Sequence, residues 1–276
     1  MKVKVITDST SDIPPELASD MDITIVPVYV RFGDVVYRDG EDISSDTFFQ
    51  KLTTSSVHPA TSQPTPEDFT KVYSKYCNDV VGIVSIHISA KISGTYNSAL
   101  LAKKTMETPC PIEVIDSKFN SAGLALVVMA AARLANEGAS THEIVAEMQN
   151  VVSQVHMFGM FNTMKYLARS GRVNKAVAAA ANILDVKPLL TFSDGEIVRA
   201  GLVRTMAKGI DRIYDFAGNN VPLQELMIVH SAVPDQANEL KQRLTEFIPE
   251  DRISIAKLGA ALGVHGGPGV LVMALR

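Results

Sequence analysis

The sequence predicts an α/β protein in two domains, a parallel sheet with covering helices in the first half and a hairpin-bearing α+β second half. Three observations carry this. Val80, Val81, Ile83, Val84, Ile86 and Ile88 form a nearly continuous apolar run, the pattern of a strand buried on both faces of a parallel sheet. Val5-Ile6-Thr7-Asp8-Ser9 is echoed by Val114-Ile115-Asp116-Ser117, as expected of parallel strands that offer polar side chains to one rim, though both Asp-Ser pairs serve equally well as helix caps. From Met157 the texture changes, and Ser193-Asp194-Gly195 between two apolar runs gives the strongest hairpin signal in the chain.

Taken in order, Lys2 to Thr7 is a first strand, Asp8 to Asp12 its polar exit, and Pro14-Pro15 open a short helix. A second strand is expected over Ile23 to Val30, then an edge hairpin through Gly33-Asp34 into Val35-Val36-Tyr37. Ser44 or Ser45 caps a helix through Leu52. Thr53 to Thr65, with His58-Pro59-Ala60-Thr61-Ser62-Gln63-Pro64 at its centre, reads as a structured surface loop. Thr65-Pro66 then start an amphipathic helix marked by Phe69, Val72, Tyr73 and Tyr76. After the central strand, Ser89 to Thr95 form a hydroxyl-rich loop into a further helix.

Ala122 to Glu137 is a helix stopped by Gly138, so rich in alanine that something must pack very closely against it. Ser140 and Glu143 form a capping box for the next helix. The second half then reads as strand Met157 to Phe161, a helix from an Asn162 cap to Leu167, and a small-residue helix over Ala176 to Ala181. Strands at Val186 to Phe192 and Glu196 to Ala200 make the hairpin, followed by helix Thr205 to Phe216, strand Leu223 to His230, helix Val233 to Phe247 and strand Arg252 to Lys257. A glycine-rich loop, Gly263 to Gly269, runs into a last strand, Val270 to Ala274.

Composition narrows the function. The chain has 276 residues, a net charge of -4 and no Lys/Arg cluster, so nucleic acid and anionic membrane surfaces are poor candidates. Cys77 and Cys110 are the only cysteines and neither sits in a Cys/His cluster, which argues against zinc and for a reducing, cytoplasmic setting. The N-terminus lacks the pattern of a signal peptide, and the longest apolar stretch, Ala122 to Ala132, is too short for a membrane span, so no integral membrane segment is expected.

Three loops offer hydroxyls, glycine or imidazole: Thr61-Ser62, Ser93-Gly94-Thr95, and His265-Gly266-Gly267-Pro268-Gly269. Ser93 to Thr95 stand at the carboxyl end of the central strand, where loop amides and helix N-termini gather anionic ligands; the same residues also serve as an ordinary helix cap. Neither a Walker loop nor a Rossmann G-x-G-x-x-G is present, although Gly266 to Gly269 keep a phosphate-binding enzyme open as a reading. A serine acyl hydrolase would use Ser93, His265 and Asp8 or Asp116, yet Lys91 and Thr95 stand where a nucleophile elbow needs glycine. The same hydroxyls and imidazole can equally hold a carboxylate without reacting with it.

Taken together, Asp8-Ser9-Thr10-Ser11, Thr61-Ser62-Gln63-Pro64, Ile92-Ser93-Gly94-Thr95-Tyr96, Tyr166-Leu167 with Gly171-Arg172, Val186-Lys187-Pro188, and His265 with Gly267-Pro268-Gly269 resemble the bacterial DegV family across essentially the whole chain. Gly266 departs from the family pattern, which has threonine there; the resemblance then implies one hydroxyl fewer near the ligand and a less rigidly held His265.

The resemblance implies a Rossmann-like N-terminal domain over 1–158, a C-terminal α+β domain over 159–276, and a ligand tunnel between them. It implies a lipid-binding carrier of a long-chain fatty acid, with no catalytic activity of its own and no cofactor or metal. Thr61 and Ser93 would hydrogen-bond the carboxylate, with His265 close by. Ser62, Gly94, Thr95, Gly266 and Gly267 would shape the pocket, and Arg172 and Arg204 would face a separate ATP-dependent kinase protein that forms an acyl phosphate.

Overall fold

The computed structural model describes residues 2–173 and 186–276. The small-residue helix expected over 176–181 lies outside them.

Strands β1 (Val3–Asp8) and β6 (Gly82–His87) are buried at every position and form the centre of a parallel sheet. β2 (Ile23–Val26) and β7 (Ile112–Asp116) complete it in the order β2-β1-β6-β7. Helices α3 (Pro66–Tyr76) and α4 (Thr95–Thr105) cover one face, where Phe69, Tyr73, Ala99 and Ala102 pack on Ile6 and Ile83. Thr65 caps α3 as its Thr-Pro start predicts, and Asp68 returns the bond to complete a capping box.

The expected strand over Ile23 to Val30 is two strands in two sheets. Pro27 has no N–H for the parallel ladder, so β2 stops at Val26. The chain then enters β3 (Tyr29–Phe32), which pairs antiparallel with β4 (Val35–Arg38) and with β5 (Ala60–Ser62). β5 comes from the segment read as loop. At three residues it is too short to show a period, and Val30↔Thr61 pairing holds it in place. Helix α2 (Ser45–Thr54), capped by Ser44, lays Phe48 and Phe49 on this small sheet.

A six-stranded mixed sheet forms the second layer: β10 (Glu196–Val203), β9 (Lys187–Ser193), β8 (His156–Met160), β13 (Leu271–Leu275), β11 (Leu226–His230) and β12 (Ile253–Lys257), in that spatial order. β8 contains both residues 158 and 159 and lies wholly in this sheet. The β9–β10 turn has Asp194 at φ 45° and Gly195 at φ 80°, the positive pair that a two-residue hairpin demands. Helices α8 (Met206–Gly218) and α9 (Pro234–Leu244) cover its outer face with Ile210, Ile213 and Leu240.

Between the sheets runs α5 (Ser121–Asn136), buried along nearly its whole length. It packs on β1 and β6 on one side and on β11 and β13 on the other. This is the close packing its alanines foretell: a helix with two sheets against it has no solvent face for long side chains.

Two local readings are corrected. Asn162 does not cap a helix; α7 (Lys165–Ser170) starts after Met164, and the Asn162 amide oxygen accepts from Lys187 Nζ. The supposed glycine loop begins as a helix, α10 (Ala260–Gly266), with His265 in its last turn. Gly263 lies inside this helix, and a Cβ there would come within 2.5 Å of the Phe48 ring, so glycine serves packing here rather than loop freedom.

Candidate functional site

The sheet order reverses direction between β1 and β6, and ligands in open α/β sheets bind outside the carboxyl ends of strands at that switch. A cavity of about 610 Å³ opens there, within the usual range for small-molecule sites. The loop after β6 supplies Lys91, Ile92, Ser93 and Gly94; β5 and its exit supply Thr61, Ser62 and Gln63; α10 supplies Ala261, Leu262, His265 and Gly266.

The wall changes character from outside to inside. Ser62, Gln63, Lys91, Arg172 and Glu196 are exposed as well as lining, so they mark the mouth. Val28, Ile88, Leu258, Ala261, Val270 and Val272 are buried lining residues and form an apolar interior. Half-buried Thr61, Ser93 and His265 also line the cavity.

Thr61 Oγ1 and His265 Nε2 are 2.9 Å apart, hydrogen-bonded across 204 positions of sequence. Desolvation, reinforced by the positive charge of Arg172 and by His58, pushes the His265 imidazole down to about 4, so the ring is neutral at neutral pH. Its Nδ1 is buried with no hydrogen-bond partner among the described residues. Ser93 Oγ is 2.9 Å from Thr95 Oγ1 and accepts from the Thr95 amide at 3.3 Å. Ser93 is thus a local cap and a cavity residue at once.

The remaining expected residues fall as follows. Ser62, Gly94 and Gly266 line the cavity. Thr95 is fully buried behind Ser93 and is not a lining residue. Gly267, at φ 71°, lies outside the lining and gives room to the Tyr166 ring, which a Cβ would overlap. At Gly266 a Cβ would stand 3.0 Å from Val270 Cγ2 and 3.4 Å from Leu258 Cδ2, so the missing threonine matches a bulky neighbourhood. Arg172 is at the mouth, while Arg204 is exposed just after β10 and does not line the cavity.

Thr10, Asn120 and Ser121 also line the cavity and were not singled out as ligand contacts. Their signal was available, since they follow β1 and β7, the neighbours of β6. Glu196 and Ile197 had none, because only docking of the β9–β10 hairpin brings them there.

The hydrolase constellation does not assemble. Ser93 bonds Thr95 and His265 bonds Thr61. Asp8 is fully buried elsewhere, accepting from Thr10 N, Ile88 N and the His87 ring, whose Nε2 is 2.7 Å from Ser85 Oγ. That Ser85–His87–Asp8 chain has triad order but no exposure, and Tyr73 O–H donates to its serine. Asp116 accepts from the amides of Ala90 and Lys118 and so braces the cavity loop.

An α/β architecture with a helix clasped between its two larger sheets and an amphipathic cavity at the switch point defines a class of ligand-binding protein. The chain belongs to the DegV family: it matches the family described as "Uncharacterised protein, DegV family" over residues 2–275. A DegV domain-containing protein of Caldanaerobacter subterraneus is 33% identical over 270 residues, covering 97% of this chain and 96% of that one. A DegV family protein from Thermus thermophilus, described for its fatty acid binding, superposes with a TM-score of 0.92 at 31% identity, covering 100% of this chain and 99% of that one. DegV of Bacillus subtilis, described as a fatty acid binding protein, gives 0.89 at 28% identity, with 100% and 99% coverage.

Proposed function

We propose that this protein binds a long-chain fatty acid, acyl chain inward and carboxylate toward Thr61, Ser93 and His265. The observation that carries the reading is the gradient along one cavity, from a mouth of hydroxyls, amides and charges to a buried aliphatic interior. Each buried methylene contributes about 0.8 kcal/mol, so ten of them give on the order of 8 kcal/mol without any specific contact. The solved relatives described as fatty-acid-binding support the same ligand.

The head group would meet neutral donors: hydroxyls and an uncharged imidazole. Such donors satisfy a carboxylate while leaving an oxygen free to attack a phosphoryl group. We therefore extend the proposal to presentation of the acid to a separate ATP-dependent kinase protein, with Arg172 at the mouth and exposed Arg204 facing that partner. Cytoplasmic residence goes with this role.

The test is native mass spectrometry of the purified protein, followed by solvent extraction. One long-chain fatty acid per chain is expected, and a Thr61→Ala/Ser93→Ala double variant should lose it. A protein that arrives empty and takes up no added fatty acid would overturn the reading.

A further inference from the structure

Helix α10 has only seven residues and its N-cap, Gly259, has no side chain, yet its first amides are not left to solvent. Asp12 Oδ1 accepts from Gly259 N at 2.7 Å and Asp39 Oδ1 accepts from Ala260 N at 2.9 Å. These two carboxyls come from separate loops, after the turn that follows β1 and after β4. Both are buried, at 8% and 4% exposure, where an acid persists only with strong compensation. Their other oxygens hold further cavity walls. Asp12 Oδ2 accepts from Ser121 Oγ at 2.6 Å, and Asp39 Oδ2 accepts from Ser9 Oγ at 2.8 Å, which in turn accepts from Val28 N at 3.0 Å. Ser121 and Val28 both line the cavity.

We infer that Asp12 and Asp39 are positioning residues for His265: together they seat the helix that carries it and so set where its imidazole meets a bound carboxylate. From Ala260 to His265 is roughly 7–8 Å along a helix axis. So short a helix moves as one piece, and a displacement at its cap reaches the ring. The carboxyl oxygens also pair two of the amides that the start of a helix otherwise leaves without a partner. Burial pushes both acids up, Asp12 to about 8 and Asp39 to about 6, as desolvation of closely held carboxyls requires.

The inference rests on the carboxylate reading above, and its test separates the two. Asp39→Ala removes one cap. Gly259→Ala leaves both acids intact but adds a Cβ 3.0 Å from Asp12 Oδ1 and 3.2 Å from Asp39 Oδ2, pushing the helix off them, and it carries the test should Asp39→Ala fail to fold. Affinities for hexadecanoate and for hexadecanol, which lacks the anion, are compared, and the His265 ring resonances are followed by NMR with His265→Asn for assignment.

Each variant should lose about tenfold in hexadecanoate affinity, as for a displaced charge-assisted hydrogen bond. Hexadecanol should change less than about twofold, and the His265 resonances should move. Parallel weakening of both ligands would mean that the acids only support the fold and would overturn the inference, as would unchanged affinities with an unmoved His265. If the wild type takes up neither ligand, the fatty-acid reading falls, and the His265 resonances alone decide the positioning role.

Discussion

Asp12 makes the sharpest claim at the scale of a single residue. Its backbone is left-handed at φ 53° and its carboxyl is raised from 3.8 to about 8, chiefly by desolvation, against the lowering effect of bonds from Ser121 and Gly259. The folded state therefore holds a proton that the unfolded chain has released between about pH 4 and pH 8. Stability from this group is fully present below the unfolded value and is lost as pH rises toward 8, with a slope of at most about 1.4 kcal/mol per pH unit. Asp39, raised to about 6, acts in the same direction over a narrower window. Asp12→Asn removes the proton exchange, so urea unfolding should show the variant losing less stability than the wild type between pH 5 and pH 8. Equal losses would show that Asp12 titrates normally. Nothing in the sequence marked this residue, since a cap supplied across 247 positions leaves no local spacing to read. Thr61, Ser93 and His265 were legible as a set only through the family resemblance; separately each looks like an ordinary turn or cap.

At the scale of elements, periodicity served wherever a segment met one environment. The Thr65 cap and the Ser140 capping box stand as written, and Asp194-Gly195 makes its hairpin. Reading failed where a segment changes partner within a few residues, as at Pro27 between two sheets, or where glycine serves packing, as at Gly263 against Phe48. Helix α5 is the instructive success. Its alanines announced close packing but not what packs, because the second sheet is assembled from residues beyond position 155. With β1 and β6 on one side and β11 and β13 on the other, added volume has nowhere to go. Ala131→Leu, at a fully buried position, should cost about 1–3 kcal/mol by overpacking, read as a lower urea midpoint with an unchanged m-value. A variant as stable as the wild type would mean that the sheets can part around α5 without penalty.

At the scale of the whole molecule, the cavity exists because the two sheets dock, and the docking has an electrostatic latch beside the mouth. Asp194, at the tip of the β9–β10 hairpin, receives Lys91 Nζ at 2.9 Å and Lys118 Nζ at 2.8 Å, both on loops at the rim of the parallel sheet. Ser89 Oγ donates to Gly195 O at 2.7 Å beside them. Hydrogen bonds from Lys118 and Lys91 hold the Asp194 carboxyl down at about 2, so the latch is closed throughout the neutral range and opens only in strong acid. These groups are exposed and screened by salt, so they add little to global stability. On the proposed fatty-acid reading their effect falls on ligand exchange, because the hairpin they pin contributes Glu196 and Ile197 to the cavity wall. Asp194→Ala should therefore speed transfer of a bound fluorescent fatty acid to acceptor vesicles several-fold while leaving the melting temperature nearly unchanged. High salt should do the same to the wild type and add nothing to the variant. Release rates indifferent to both changes would place the exit route elsewhere on the wall and leave the hairpin as scaffold alone.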